Sequence, residues 1–270
     1  MTNSELYKLL DFPAEVVTKL NEYEHERTFN CPEQLKQKIL CRTTWDEGIK
    51  ELQALLDNDT QGFKILWELL HLVCTFSYEN YLKHNISQEV FVATMKFCTR
   101  FLNEHYRTYG TYKYVWAWWF PRQISLQEFR IGALEYEFVE GDGFKEISVH
   151  IPSDAEFTKE SVLKSVNEFK AFCKLYFPDW QDVKMVCDTW MLAPAMEELL
   201  SEGSNILSFK RMFELEQIDL EATWFMGWIY PGFDGPLETL PENTSLQKNM
   251  KKYLLSGKKV GVAKGVWKNV

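Results

Sequence analysis

A histidine and two glutamates in the second half of the chain are candidates for acid–base chemistry. His150 lies near the end of an alternating run, and an imidazole titrates near neutral pH, so it could act as a general base. Glu135 and Glu137 are two residues apart in an earlier alternating run, which places both carboxylates on one face of a strand. Either could relay a proton. The alternatives are a histidine with a purely structural hydrogen bond and a pair of carboxylates that face solvent.

A second group of candidates lies in the run 184–191, whose residue types predict another strand. Alternation places Cys187 and Asp188 on opposite faces of that strand. Trp190 could form the wall of a pocket, although a tryptophan in a central strand is normally part of the core. The six cysteines of the chain are scattered, with no C-x-x-C pair and no histidine at ligand spacing. This pattern indicates neither a zinc site nor a redox dithiol.

The composition is that of a globular protein, and the length predicts two domains, with a single domain as the alternative. The chain has 270 residues, of which 46% are hydrophobic, and a formal net charge of −9. Phosphate binding depends on clustered Lys and Arg, so this charge argues against a nucleic-acid partner. No export signal and no apolar run of membrane-spanning length is recognisable. We therefore expect a cytoplasmic protein that has no membrane partner, and its oligomeric state is not predictable from these features.

The first part of the chain has the pattern of packed helices. From Ser4 to Arg107 the apolar residues recur at spacings of three and four. A polar turn at 57–62 separates two helices, Ser87 can cap a third, and Gly110 ends it. This pattern predicts an all-helical domain over residues 1–115 and a second domain over 116–270, with an aromatic stretch at the junction.

The second part mixes strands and helices. Residues 133–139 and 147–151 alternate on either side of a glycine-containing turn and predict a hairpin. A helix capped by Thr158 follows, then the strand at 184–191 and a short helix after Pro194. Two further strands at 209–215 and 223–229, a helix at 245–255 and a closing strand at 260–267 complete the order β-β-α-β-α-β-β-α-β. The chain as a whole is predicted to be α+β.

Several sequence segments, together with this order, resemble a bacterial family of GNAT-like acyltransferases that have a helical N-terminal domain. The segments are 118–123 (WWFPRQ), 129–136 (FRIGALEY), 150–155 (HIPSDA), 187–192 (CDTWML) and 204–209 (SNILSF). The resemblance extends over the whole chain. It implies an all-helical N-terminal domain followed by a C-terminal domain with the mixed sheet of the GNAT acyltransferases.

The resemblance also implies a co-substrate and positions for a site. Acetyl-CoA or another acyl-CoA would bind where two neighbouring parallel strands diverge and leave backbone groups free for the pantetheine arm. The residues implied to take part in catalysis are His150, Glu135 and Trp190. Those implied to contact the cofactor are Ile151, Ser153, Asp154, Thr158, Asp188 and Asn205.

The loop that would hold the CoA pyrophosphate departs from the family pattern. In GNAT proteins this loop is rich in glycine, whereas residues 153–158 (SDAEFT) contain none and include Asp154 and Glu156. The backbone N–H groups and dipole of a helix N-terminus attract anions, but these two carboxylates would repel a pyrophosphate. The other interpretation is that Ser153 and Glu156 form a capping box for the next helix.

Two functions are compatible with the sequence. One is an acyl-CoA-dependent acyltransferase, an N-acyltransferase in the first instance, with a small-molecule or peptide acceptor. The other is a catalytically inactive GNAT-shaped module that binds a small molecule or a protein, which the absence of glycine in the loop favours. Strands that diverge near His150 and Trp190 would support the enzyme, and a closed sheet would support the binding module.

Overall fold

The computed structural model describes residues 1–268. The chain forms two compact units, Met1–Ile131 and Gly132–Val270. The division between these units falls after Ile131, whereas the sequence predicted a domain boundary between residues 115 and 116.

The first unit is helical apart from one short strand. Its helices are α1 (Asn3–Leu9), α2 (Ala14–Glu26), α3 (Glu33–Leu40), α4 (Trp45–Leu55), α5 (Phe63–Leu72), α6 (Tyr78–Lys83), α7 (Gln88–Met95), α8 (Phe97–Tyr109) and α9 (Pro121–Ile124), and its strand is β1 (Glu128–Ile131). Residues 73–77 form one π-helical turn that joins α5 to α6. None of the helices in residues 1–268 is long and apolar enough to cross a membrane.

The predicted helix boundaries of this unit are confirmed at three places. Gly62, in the left-handed conformation with φ of 75°, separates α4 from α5. The hydroxyl of Ser87 accepts from the Val90 N–H at the start of α7, and Gly110, also left-handed, ends α8. Both glycines occupy a conformation that a side chain disfavours. The third predicted helix is divided in the structure, because α7 ends at Met95 and α8 begins at Phe97.

The aromatic stretch after α8 packs within the first unit. The ring of Trp116 stacks on Phe101 of α8 at 4.2 Å between centroids, and Phe120 stacks on Phe97 at 5.8 Å. The hydroxyl of Ser77 donates to the backbone carbonyl of Ile124 at 2.7 Å. These contacts explain why the helical unit extends beyond the stretch that the sequence placed at a junction.

The second unit contains five strands and five helices within the described residues. In order along the sequence they are β2 (Leu134–Gly141), β3 (Phe144–His150), α10 (Lys159–Tyr176), β4 (Met185–Thr189), α11 (Met196–Leu199), α12 (Asn205–Lys210), β5 (Phe213–Asp219), α13 (Phe225–Ile229), α14 (Ser245–Leu255) and β6 (Val262–Trp267). Three short 3₁₀ turns lie at Pro178–Trp180, Trp190–Leu192 and Leu237–Thr239.

The five strands form a mixed sheet in the order β2-β3-β4-β6-β5. β3 and β4 are parallel, and the other neighbours are antiparallel. Helix α10 covers one face, where Tyr136 of β2 stacks on Phe169 of α10 with parallel rings 3.9 Å apart. The Tyr136 hydroxyl is also within 2.9 Å of the Ser165 hydroxyl. The predicted hairpin, the strand after α10, helix 245–255 and the closing strand are all confirmed.

Two of the predicted strands need correction. Residues 225–229 form helix α13 instead of a strand. Phe225 and Ile229 are buried there, and Trp224 and Trp228 are exposed. A spacing of four keeps residues on one face of a helix and also of a strand, so the hydrophobic pattern is compatible with both. The strand predicted at 209–215 begins only at Phe213, because Phe209 and Lys210 belong to α12 and a turn follows that helix.

Candidate active site

One face of the sheet in the second unit is polar around the end of β3. The register places Glu137 opposite Ser148 and Glu135 opposite His150, so the side chains of all four residues share that face. Alternation along β4 and its pairing with β6 add the residues of those strands to it. Its polar members are Glu135, Glu137, Glu146, Ser148, His150, Asp188 and Lys264.

His150 and Glu137 are hydrogen-bonded on this polar face. The imidazole Nε2 of His150 is 3.1 Å from the Oε2 atom of Glu137. The side chain of Glu137 is 6% exposed and that of His150 is 26% exposed. The pair joins a nearly buried carboxylate to an imidazole that solvent or a ligand can still reach. Glu135 is buried as well, and it lies directly opposite His150 in the register of β2 and β3.

β3 and β4 pair over only part of their lengths. Within the described residues, the last pair in their register is Ser148 with Val186, although β3 continues to His150 and β4 to Thr189. Both strands keep their other neighbours to the end, because β2 pairs as far as His150 and β6 pairs as far as Thr189. The ladder between the two central strands therefore ends before either strand does, and we call this feature the divergence of β3 and β4; the pairings of β2 with β3 and of β4 with β6 continue to the ends of β3 and β4.

Alternation identifies the backbone groups that lie at this divergence. In a parallel pair, every second residue directs both its N–H and its C=O to the same neighbour. The Ile147 N–H donates to the Lys184 C=O at 2.9 Å, which makes Val186 and Asp188 the next residues of β4 that face β3. Val186 is the last residue of β4 in the register with β3, so the N–H and C=O of Asp188 are directed to the β3 side of the strand beyond the last register pair.

The loop that follows β3 leads to the N-terminus of α10. Thr158 is the N-cap of this helix: its hydroxyl oxygen accepts from the Ser161 N–H at 3.1 Å. The predicted cap at Thr158 is confirmed, and the capping box proposed for Ser153 and Glu156 is wrong. Ser153 lies in a turn closed by the Ala155 N–H and the Pro152 C=O at 3.0 Å, and the helix begins only at Lys159.

The loop residues that were implied to contact a cofactor are accessible in part. Ser153 and Asp154 are exposed, and Ile151 and Thr158 are half-buried. Helix α10 has 18 residues, so its N-terminus carries a full helix dipole. The carboxylates of Asp154 and Glu156 oppose an anion at that end, as the sequence indicated, and both side chains are exposed.

Asp188 and Cys187 have different environments on β4. The Asp188 side chain is exposed on the polar face. Partial loss of hydration raises the pKa of its carboxyl group; the charge of Lys264 lowers this pKa and that of Asp219 raises it further. Cys187 is buried on the opposite face, and this burial raises the pKa of its thiol. A thiol held in its neutral form is a poor nucleophile, so Cys187 packs as a small apolar residue.

Trp190 and Asn205 lie away from the polar face. Trp190 belongs to the 3₁₀ turn after β4, is 8% exposed and packs in an apolar cluster with residues that include Ala193, Met196 and Phe225. Asn205 is the exposed first residue of α12, next to its cap Ser204. The structure thus brings His150, Glu135 and Asp188 to one face, with Ile151 beside them, and places Trp190 in the core.

From the sequence alone, Glu135 and Glu137 were equal candidates for a proton relay. The hairpin contains the information that distinguishes their positions relative to His150. A two-residue turn at Asp142 and Gly143 fixes the pairing of the two strands. Counting back from it puts Glu137 diagonal to His150, at a distance that long side chains can bridge.

Comparisons with known proteins give a family and a set of similar structures. The family profile described as N-acyltransferase N-terminal domain matches residues 1–126, and that described as GNAT-like C-terminal domain matches residues 129–267. No curated protein sequence shows significant similarity to the chain.

Crystal structures of acyltransferases share the fold. One in complex with decanoyl-CoA and teicoplanin has a TM-score of 0.75 at 19% identity, covering 98% of this chain and 86% of its own. A mutant acyltransferase in complex with octanoyl-CoA gives the same score and identity, covering 98% and 87%. A further acyltransferase in complex with decanoyl-CoA has a TM-score of 0.70 at 17% identity, covering 99% of both chains. With both of its parts matched, the chain belongs to the family that combines an N-acyltransferase N-terminal domain with a GNAT-like C-terminal domain.

Proposed function

We propose that the protein is an acyl-CoA-dependent N-acyltransferase that acts on an amine of a small-molecule or peptide acceptor. The observation that carries this proposal is the divergence of β3 and β4 after Ser148 and Val186, beside the pair of His150 and Glu137. Backbone groups that lack a strand partner can bind an extended ligand in the way that a sheet edge binds an added strand. The pantetheine arm of CoA carries two amides that can use such groups.

The proposal assigns backbone roles to the residues around the divergence. The N–H and C=O of Asp188 and the N–H of Ile151 would hold the pantetheine arm and the thioester. The loop from Ser153 and Asp154 to Thr158, at the start of α10, would lie along the pyrophosphate, with Asn205 as a further contact. Because Asp154 and Glu156 repel a pyrophosphate, we expect binding to CoA to be weaker than in proteins with a glycine-rich loop.

The reaction needs one base and no covalent intermediate. The acceptor nitrogen attacks the thioester carbonyl carbon, a C–N bond forms, and the C–S bond breaks to release the CoA thiolate. His150 takes the proton that the nitrogen loses, and that proton can then pass to the thiolate sulfur. Glu135 lies opposite His150 and adds a second buried carboxylate to the site. Trp190 would act from within the core as a wall of the acyl pocket.

The length of the acyl group is a separate part of the proposal. The similar crystal structures contain decanoyl-CoA or octanoyl-CoA, which favours a medium-length acyl group over acetyl for this protein too. Acetyl-CoA was the first expectation from the sequence, so both lengths belong in the test.

Calorimetric titration with acetyl-, octanoyl- and decanoyl-CoA tests the proposal, with free octanoate as the control for nonspecific apolar binding. We expect one site per protein molecule, and a ligand at one hundred times its Kd adds about 2.7 kcal/mol to the free energy of unfolding. The absence of binding and of any thermal shift with millimolar acyl-CoA would contradict the proposal. Binding of acyl-CoA without acyl transfer to any amine, and so without release of CoA, would favour the inactive binding module.

A further inference from the structure

We propose that the carboxylate of Asp188 binds the ammonium group of the acceptor, and that the protein therefore selects amines that are cationic at neutral pH. This inference rests on the proposed function, because it concerns the acceptor of that reaction. It goes further by giving the Asp188 side chain a role apart from that of its backbone and by naming the charge of the group that it recognises.

The first support is the position of Asp188 in the sheet. Ser148 of β3 and Val186 of β4 form the last register pair of these strands, and two residues further along come His150 and Asp188. Alternation keeps both of these side chains on the polar face. The Asp188 carboxylate therefore lies on that face where the ladder has ended, on the residue whose backbone groups are proposed to hold the thioester.

The second support is that the cation opposite Asp188 is held by another carboxylate. Lys264 of β6 is the register partner of Asp188, but its Nζ atom lies 2.8 and 3.0 Å from the two carboxylate oxygens of Glu146. Within residues 1–268, the Asp188 carboxylate forms no hydrogen bond and no ion pair. The side chain is also exposed, so its oxygens can accept hydrogen bonds from a ligand.

The third support is electrostatic. Partial loss of hydration raises the pKa of the Asp188 carboxyl group, and Asp219 of β5 raises it further against the opposing charge of Lys264. The Asp219 carboxylate itself accepts from the backbone N–H groups of Glu221 and Ala222 at 2.9 and 3.2 Å. The negative charge of Asp188 is thus less favourable than it would be in water, and a bound cation would offset that cost.

The chemistry of the ligand follows from these surroundings. An alkyl amine with a pKa of about 10 is an ammonium ion at neutral pH. Its three N–H groups can only donate, and an ionised carboxylate can only accept. Because charge-assisted hydrogen bonds of this kind are stronger than neutral ones, Asp188 should favour a primary amine over an alcohol of the same shape.

The direct test measures binding without acyl transfer, by NMR titration of the full-length protein, both free and saturated with CoA. The probes are 2-phenylethylamine and its uncharged analogue 2-phenylethanol. We expect the unmodified protein to bind the amine at least about tenfold more tightly than the alcohol, with a preference that added salt reduces. Equal affinities for the two probes in the unmodified protein would overturn the inference, even if the variants failed to fold.

Two variants assign the preference to one carboxylate. Asp188→Asn keeps the shape of the side chain and the backbone groups but removes the charge, so it should lose the preference of about tenfold for the amine. Glu214→Gln is the matched control, because Glu214 is exposed on the same face but lies on β5, which β6 separates from β4. This variant should keep the preference. Equal losses in both variants, or no loss in Asp188→Asn, would overturn the inference.

Kinetics separate the inference from the proposed function. With octanoyl-CoA as the donor, Asp188→Asn should raise the KM for 2-phenylethylamine by about tenfold with a smaller effect on kcat, because the ion pair serves binding. A lower kcat with an unchanged KM would contradict this role. If the unmodified protein released no CoA, the proposed function would fail, and the affinities for amine and alcohol would still decide the role of the Asp188 side chain.

Discussion

The backbone N–H of Asp188 offers a residue-level test of the divergence between β3 and β4. This N–H points toward β3 two residues beyond Val186, which is the last residue of β4 paired with β3. We expect the Asp188 amide hydrogen to exchange with solvent quickly in the free protein and slowly when octanoyl-CoA is bound. Val186 provides an internal reference on the same side of the same strand.

The expected magnitudes follow from the pairing. A ladder amide in a central strand exchanges only after local or global opening, which costs up to the full stability of the fold, about 5–15 kcal/mol. An amide without a ladder partner needs no such opening, so Asp188 should exchange at least about a hundredfold faster than Val186, a difference of roughly 2.7 kcal/mol. Octanoyl-CoA at one hundred times its Kd leaves the free form about one per cent populated, which slows exchange at Asp188 by about a hundredfold.

Amide exchange followed by two-dimensional ¹H–¹⁵N NMR measures both effects at single residues. Cys187 is a second control, because its register partner is Gly265 of β6, on the side of the strand that stays paired. Its exchange should be slow with and without the ligand. Exchange at Asp188 as slow as at Val186 in the free protein would refute the divergence. Fast exchange that octanoyl-CoA leaves unchanged would refute the role of this N–H in binding.

Three further predictions concern the helical unit. Glu68 is buried and accepts hydrogen bonds from Arg27 at 2.6 Å and from Tyr23 at 2.9 Å. Arg27→Met leaves this buried carboxylate without its cation, so it should lower the free energy of unfolding in urea by about 3 kcal/mol. Lys19→Met breaks only an exposed pair and should leave the urea midpoint unchanged; equal effects of the two variants would contradict the prediction. Burial and the nearby Arg27 lower the pKa of His71 in the folded protein. The unfolded chain therefore binds the proton more readily, and the free energy of unfolding should fall as the pH drops below about 6.5. His71→Gln should flatten the curve of Tm against pH between 7 and 5, and an unchanged curve would contradict this role of His71. A Cβ at Gly62 would lie 2.1 Å from the Tyr114 backbone oxygen, whereas one at Gly110 meets nothing within 4 Å. Both positions have positive φ, so the backbone strain of an alanine is similar at the two positions and only Gly62 adds a steric clash. Gly62→Ala should therefore lower Tm clearly more than Gly110→Ala, and similar losses would exclude the clash as the cause.

The elements that the sequence predicts well are those in which local pattern and tertiary packing agree. The hairpin alternates on both sides of a glycine-containing turn, and helix α14 has Thr244 as its cap, with a complete capping box. Residues 225–229 lack such agreement. Their buried and exposed residues repeat at a spacing of four, which fits a helix and a strand equally, so only the packed structure distinguishes the two.

The candidate site shows a similar division. The alternating pattern was sufficient to place Glu135 and Glu137 on one face of a strand, and the register in the structure adds His150 to that face. The hydrogen bond to Glu137 depends on hairpin register and side-chain length, which the pattern alone does not contain. Trp190 was predicted at the end of a strand, but the chain turns there, and the indole packs in the core. The divergence of β3 and β4 is a tertiary feature, for which the sequence supplied only a resemblance.

The most direct measurement is a crystal structure of the protein with bound octanoyl-CoA. We predict that the pantetheine arm lies between β3 and β4, with an amide or thioester oxygen within hydrogen-bond distance of the Asp188 N–H and the thioester carbon near His150. Octanoyl-CoA bound elsewhere, with β3 and β4 paired along their full lengths, would contradict the proposal that these strands form the acyl-CoA site.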